Sequence, residues 1–424
     1  MGWRTGKICA QSKVSMLSEF DNKQLLSLMR WWVLLLFIPS IYTGFYPGKI
    51  TIISFLCGWL IIALYVFNSK HMDFSEFDGK PLFVLFVLLN MVIYIRGFFN
   101  IDSNTDKYAL AASLFFMCFL IPSYMYLAQI ELLPVLWKSL LFLGGALCAV
   151  CYFFPSNDGM MSLAHNASFL NVFVLCIPFV SKKWRRILIF AALFIALLDV
   201  DRRSILANVF TCLMLGLIST VVTTKIVKTS LFVSMILIPL ILFMLGASGV
   251  FNVFQYMEES YTYQANESSR DMFADSRSEI YSDVFTELRD KDAVIWGLGG
   301  NGKTHTSLSD LKHYRFDEIY AHGRNGTESG MLNYIQYSGL LGLLLYGLLL
   351  VVGAFKAVFL SNNKFMVLVG LYVAFKFLFS FLEDRVGFQP NTFYLFLAIG
   401  MCYNVRLREM DDDEMTEYIQ QVFS

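Results

Sequence analysis

The sequence predicts an all-α polytopic integral membrane protein of about twelve transmembrane helices, with one large external loop between the ninth and tenth. Two observations carry that prediction. Hydrophobic residues make up 57% of the chain and charged ones 16%, with a mean hydropathy of +0.57, and apolar runs near bilayer-crossing length recur along it. Alternate connections between those runs are basic, the mark of cytoplasmic loops. The formal net charge is zero, so nothing favours a nucleic-acid partner.

In chain order the predicted spans are Trp31–Tyr46, Ile50–Phe67, Pro81–Ile95, Tyr108–Ala128, Leu132–Phe154, His165–Val180, Ile187–Leu198, Ser204–Val222, Ser230–Val250, Met331–Phe355, Phe365–Leu382 and Asn391–Tyr403. The basic connections are SKKWRR (Ser181–Arg186), TTKIVK (Thr223–Lys228), KAVFLSNNK (Lys356–Lys364) and VRLRE (Val405–Glu409), and Lys7, Lys13, Lys23 and Arg30 precede the first span. The positive-inside rule then puts both termini in the cytoplasm. The organisation reads as an N-terminal tail (1–30), spans one to nine (31–250), an external loop (251–330), spans ten to twelve (331–403) and an acidic tail (404–424). The run MDDDEMTE (Met410–Glu417) in that tail reads as solvated. No small-residue cleavage pattern follows the first apolar run, so span one reads as retained.

The loop holds fourteen Asp or Glu, eight Lys or Arg and three of the five histidines. Its length without a span points to function. None of the eight cysteines lies in it, so neither disulfides nor thiolate metal sites organise it. GLGGNGKT (Gly297–Thr304) fits the phosphate-loop spacing, but such a loop needs a strand before it, a helix after it and a magnesium-holding Asp. Only the short apolar AVIW (Ala293–Trp296) precedes it, so the stretch reads as a glycine-rich turn folding tightly near the membrane surface.

Three polar clusters face the same side. DSRSEIYSDVFTELRDK (Asp275–Lys291) reads as an amphipathic helix with Ser276 and Glu279 at capping-box spacing, an Ile280, Val284 and Leu288 stripe, and Arg277 and Tyr281 one turn apart beside it. LLDVDRRSILANVF (Leu197–Phe210) confines Asp199, Asp201, Arg202 and Arg203 to a tight turn between two spans, where they either neutralise one another or bind an anionic headgroup. YAHGRNGTESGMLNYIQYSGLLGLLLYGLLL (Tyr320–Leu350) brings His322, Arg324 and Glu328 to the start of span ten, where an acid, a His and an Arg form a candidate catalytic set. Gly339 and Gly342 behind them have the spacing that admits a close-packed helix. Lys376, inside span eleven, faces the bundle interior or a polar cavity, and either meets an anionic linker or pairs with Glu383 or Asp384. Lys138, near the inner end of span five, reads as snorkelling.

The order SRSEIYSDVF, WGLGGNG and TESGMLNYIQYSGLLGLLLYGLLL, with an Arg turn upstream, resembles the O-antigen polymerase and O-antigen ligase superfamily of bacterial envelope polysaccharide enzymes. The resemblance covers about Asp199 to Leu350. It implies a metal-independent, cofactor-free GT-C-like transferase in the inner membrane that uses undecaprenyl-diphosphate-linked oligosaccharides as donor and acceptor on the periplasmic face. A chain-length regulator protein and a flippase are further partners it suggests. The family's span-end Arg falls on Arg203, or on Arg202 with a one-residue shift, and its loop-helix Arg on Arg277. In ligases a His precedes GxxG by eleven residues; counting back from Gly339 reaches Glu328, and His322 lies six residues earlier. That departure favours an inverting polymerase over a ligase acting on lipid A core. A non-enzymatic envelope-lipid transporter or flippase is the remaining alternative.

On this reading Arg203 and Arg277, with Arg202, Arg324, Tyr281 and Lys376 around them, hold the diphosphate and glycan. A guanidinium suits that task because it offers paired, charge-assisted donors and does not lose its proton. Glu328, or His322 in its place, takes the proton of the attacking sugar hydroxyl.

Overall fold

The computed structural model describes residues 75–102, 106–107, 110, 127, 130–153, 170–198, 203–247, 277–305, 323–327, 329–382 and 390–424. The predicted spans Trp31–Tyr46 and Ile50–Phe67 and almost all of Tyr108–Ala128 lie outside these residues, as do Asp199, Asp201, Arg202, Ser276, His322, Glu328, Glu383 and Asp384. Arg203, Arg277 and Arg324 are described by their backbone alone.

The described chain is mostly helical. Helix α1 (Lys80–Gly97) carries Pro81 in its first turn, where a missing N–H costs nothing. It is followed by α2 (Leu133–Phe153). The predicted span His165–Val180 is not one helix in its described part: α3 (Leu170–Val174) gives way to a 3-10 turn, Ile177–Phe179, because Pro178 cannot continue the α ladder. Next come α4 (Lys182–Leu198), which absorbs the basic KKWRR, α5 (Arg203–Leu217), the short α6 (Ser219–Val222) and α7 (Lys225–Ala247). Within the loop lie α8 (Arg277–Asp290) and an antiparallel ribbon of β1 (Lys303–Thr304) and β2 (Arg324–Asn325). The chain then forms α9 (Gly330–Phe359), α10 (Lys364–Ser380), α11 (Pro390–Tyr403), α12 (Val405–Glu409) and α13 (Asp412–Phe423). Among the described residues, three segments are long and apolar enough to cross a membrane: Lys80–Asn100, Lys225–Leu245 and Gly330–Phe359. Helix α10 is the hub, buried from Phe365 to Phe377 and packed against α5, α7, α9 and α11.

Helix α9 departs from the predicted continuous span. Gly339 has φ 63° and ψ −158°, a conformation open in practice only to glycine. In a straight helix Tyr334 and Tyr346 would stand about 18 Å apart along the axis. Their rings instead stack with centroids 4.2 Å apart, beside Phe86 of α1. The first part of α9 therefore folds back along the second. At the other end of this first part, Ser329 reaches the carbonyls of Ser380 and Phe381. What approaches Gly339 is not a helix, as its spacing with Gly342 suggested, but the backbone of Val294 and Ile295; Gly342 faces Ser338 of its own chain segment.

The bundle has two distinct ends. At one, Asp78 takes Lys356 and Arg408 onto a single carboxylate oxygen at 2.7 and 2.6 Å, Lys228 donates to the Val358 carbonyl, and Phe77 bridges to Asn404. At the other, Arg96, the Ala293–Gly302 loop, α8 and Ser329 assemble. Lys228, Lys356 and Arg408, from three of the basic connections, meet at the first end.

The acidic C-terminal run is not a solvated tail. Asp411 and Glu414 form a capping box, and α13 turns Met415, Tyr418, Ile419, Val422 and Phe423 into the core while the carboxylates stay outward. Tyr418 donates to the Ile130 carbonyl, and Lys138, expected to snorkel, reaches the carbonyl of Ser424 at 2.6 Å.

Candidate functional site

The glycine-rich loop spends its donors on the protein. The N–H groups of Leu298, Gly299 and Gly300 donate to the carbonyls of Gln336, Tyr337 and Ile93 at 2.8, 2.9 and 2.8 Å. In return Leu340 and Leu341 donate to Val294 and Ile295, so the loop satisfies the backbone groups orphaned by the break in α9. Arg96 donates to the carbonyls of Trp296 and Gly297, and Asn100 to those of Leu298 and Gly300. Lys303, the lysine of the phosphate-loop pattern, is 3.0 Å from buried Asp106 and 3.5 Å from Asp102. A phosphate cradle needs these N–H groups and this ammonium free. The stretch is a brace across a broken helix, which is the tight glycine turn that the sequence suggested, sunk against the bundle rather than resting on it.

Beside that brace, a polar junction joins three elements. Tyr281 of α8 donates to the Phe381 carbonyl at 2.6 Å and lies 3.3 Å from the Ser329 hydroxyl. Ser329 caps α9 through the Leu332 N–H and reaches Ser380 and Phe381 of α10. Thr327 is fixed by a reciprocal pair with the Asn333 side chain, and its hydroxyl donates to the Ser329 carbonyl. Both neighbours of Glu328 are thus buried and pinned. Helix α8 is held there because Ile280, Val284 and Leu288 bury their stripe on Leu332 and Ile335. Arg277 opens α8 one turn before Tyr281.

Lys376 lies one turn before Ser380 on α10 and is 4% exposed, so the interior reading of its position holds. Its ammonium sits 5.8 Å from the Tyr372 ring centre and within electrostatic reach of Cys212 on α5. Helix α5 starts at Arg203, and its far end, at Gly216, packs on Val174 and Ile177. Of the sequence-derived residues, Tyr281, Lys376 and the helix start at Arg277 lie on the elements that meet at Ser329. Arg324 lies apart in β2, which β1 ties through Lys303 to Asp106. The sequence reading missed Ser329, Thr327, Asn333 and Arg96. A serine directly before a long apolar helix is an N-cap signal for the first; nothing local marks the others.

The ribbon and α8 are also coupled through Glu287. Burial alone would push its carboxyl up, but the Lys291 ammonium at 2.7 Å and the His305 N–H at 3.2 Å outweigh it, holding the group below its ordinary 4.5. A depressed folded-state value stabilises above the unfolded value and is lost as pH falls through the folded one. Acidifying from pH 6 to below 4.5 should therefore lower the amide protection factors of α8, each rate being referred to the intrinsic exchange rate at the same pH, and Glu287→Gln should remove that pH dependence.

Compared with protein-family models, with curated proteins and with solved structures, the chain matches none.

Proposed function

We propose that this chain is a polysaccharide polymerase of the bacterial inner membrane, with about twelve spans, cytoplasmic termini and a periplasmic 251–330 loop. It would transfer a glycan from undecaprenyl diphosphate to the non-reducing end of a second lipid-linked repeat unit, with inversion. The observation that carries the reading is the Tyr281–Ser329–Phe381 junction. It ties the helix that Arg277 opens, the N-cap residue Ser329 and the end of the Lys376 helix to one another. Cations on three rigid helices suit a diphosphate whose negative charge grows as the glycosidic bond breaks. A carboxylate is the residue type suited to removing a proton from the acceptor hydroxyl, and Glu328 would supply it, a contribution of about two to four orders of magnitude.

The test is a product ladder from purified protein in lipid with a labelled undecaprenyl-diphosphate repeat unit. Arg203→Ala and Glu328→Gln should suppress the ladder with folding intact. Lys376→Met should do the same, with thermal unfolding of the variant checked beside the ladder because Lys376 is buried. No ladder from the native protein, or an undiminished one from all three variants, would sink the reading; transfer to lipid A core would redirect it to a ligase.

A further inference from the structure

Two large apolar side chains stand on the most tightly held part of the loop. Ile295 and Trp296 are 60% and 62% exposed, yet the carbonyls of both residues are engaged by Leu341 and Arg96. The backbone cannot turn these side chains inward without breaking the brace. Next to them, Ile95, Phe98 and Phe99 at the end of α1 are 59%, 54% and 86% exposed, and Leu340 and Leu344 continue the apolar surface along α9. Arg96 lies in the middle of this patch.

Two independent rulers locate the patch. Lys80 to Arg96 on α1 spans about 24 Å, and so does Leu340 to Lys356 on α9, against a hydrocarbon core of about 30 Å. Both rulers start at the Asp78–Lys356 pair and end on the Val294–Trp296 segment, α1 through Arg96 on the Trp296 carbonyl and α9 through Leu340 on the Val294 carbonyl. An amphipathic aromatic beside an arginine at the end of a span is the composition of a membrane–water boundary.

We infer that Ile295 and Trp296, with Phe98 and Phe99, form a wedge inserted into the lipid headgroup–acyl boundary, so that the glycine-rich brace docks on the bilayer as well as on α9. The partner is a phospholipid surface. The inference rests on the membrane-crossing helices and not on the glycosyl-transfer reading, so either can fail alone.

Native protein and Trp296→Phe are each reconstituted into phosphatidylcholine vesicles with bromines near the headgroup, with bromines near the bilayer centre, or without bromine. The native-minus-variant emission isolates Trp296. It should be blue-shifted, insensitive to aqueous iodide, and quenched roughly twofold more by the shallow bromines than by the deep ones, as suits an aromatic at headgroup level. Emission quenched by iodide and indifferent to both lipids would overturn the inference, as would stronger quenching by the deep bromines. If Trp296→Phe does not fold, Trp296→Tyr gives the same difference signal.

Discussion

Gly339→Ala is expected to yield little or no folded protein. Two costs coincide at this position. The backbone conformation of Gly339 would impose about 1–3 kcal/mol of strain on an L-residue. The added Cβ would also meet the carbonyl groups of Ile295 and Val294, which are backbone and already bonded to Leu341 and Leu340. Nothing there can swing aside, so the loop must lift off the break and leave buried N–H and C=O groups unpaired, at about 1–3 kcal/mol each. Gly347→Ala in the same helix is the control, since its new methyl would find Phe377 at an ordinary 3.5 Å. Size-exclusion profiles in detergent should be native-like for Gly347→Ala and aggregated for Gly339→Ala. A monodisperse Gly339→Ala protein would overturn the account of the break.

Removing the charge of Asp78 should be the second large loss. Its carboxylate pairs with both Lys356 and Arg408, and the latter side chain is 7% exposed. Breaking a buried pair from one side costs about 3–5 kcal/mol; with Asp78 a third exposed, about 2 kcal/mol or more is expected for Asp78→Asn. Asp412→Asn offers the contrast, because its partner Lys364 is half exposed and such pairs contribute about 1 kcal/mol or less. Thermal unfolding should separate the two variants clearly, and equal shifts would refute the ranking.

The sequence was legible where structure depends on near neighbours. The stripe Ile280, Val284 and Leu288 announced α8 and the face it buries, and apolar runs announced α1, α2, α7 and α10. The fold-back was not legible, because Asn333, Gln336 and Ser338 are too few to interrupt the apolar run Met331–Phe355 and the partner that repairs its break lies some forty residues upstream. Glycines at 297 and 339 were visible, but not that Gly297 meets the backbone of Tyr337–Gly339 and Gly339 that of Val294 and Ile295. In α13 the acidic run masked a readable pattern: Met415, Tyr418, Ile419 and Val422 have helical spacing. At the candidate site, residue type pointed to Tyr281 and Lys376, whereas Ser329 and Arg96 act through distant carbonyls that no window of sequence contains.

The long reach of those contacts bears on how the chain is made. Arg96 binds carbonyls 200 positions later in the chain, and Arg408 meets Asp78 across 330. At about 5–20 residues per second, α1 would wait roughly 10–40 s after synthesis for the loop that completes one end. Arg96 and Asp78 sit at the ends of α1 rather than within it, where a charge can stay hydrated while its partners are still being translated. A charge moved one turn inward would have the same partners in the finished protein, but would spend that interval unpaired in hydrocarbon.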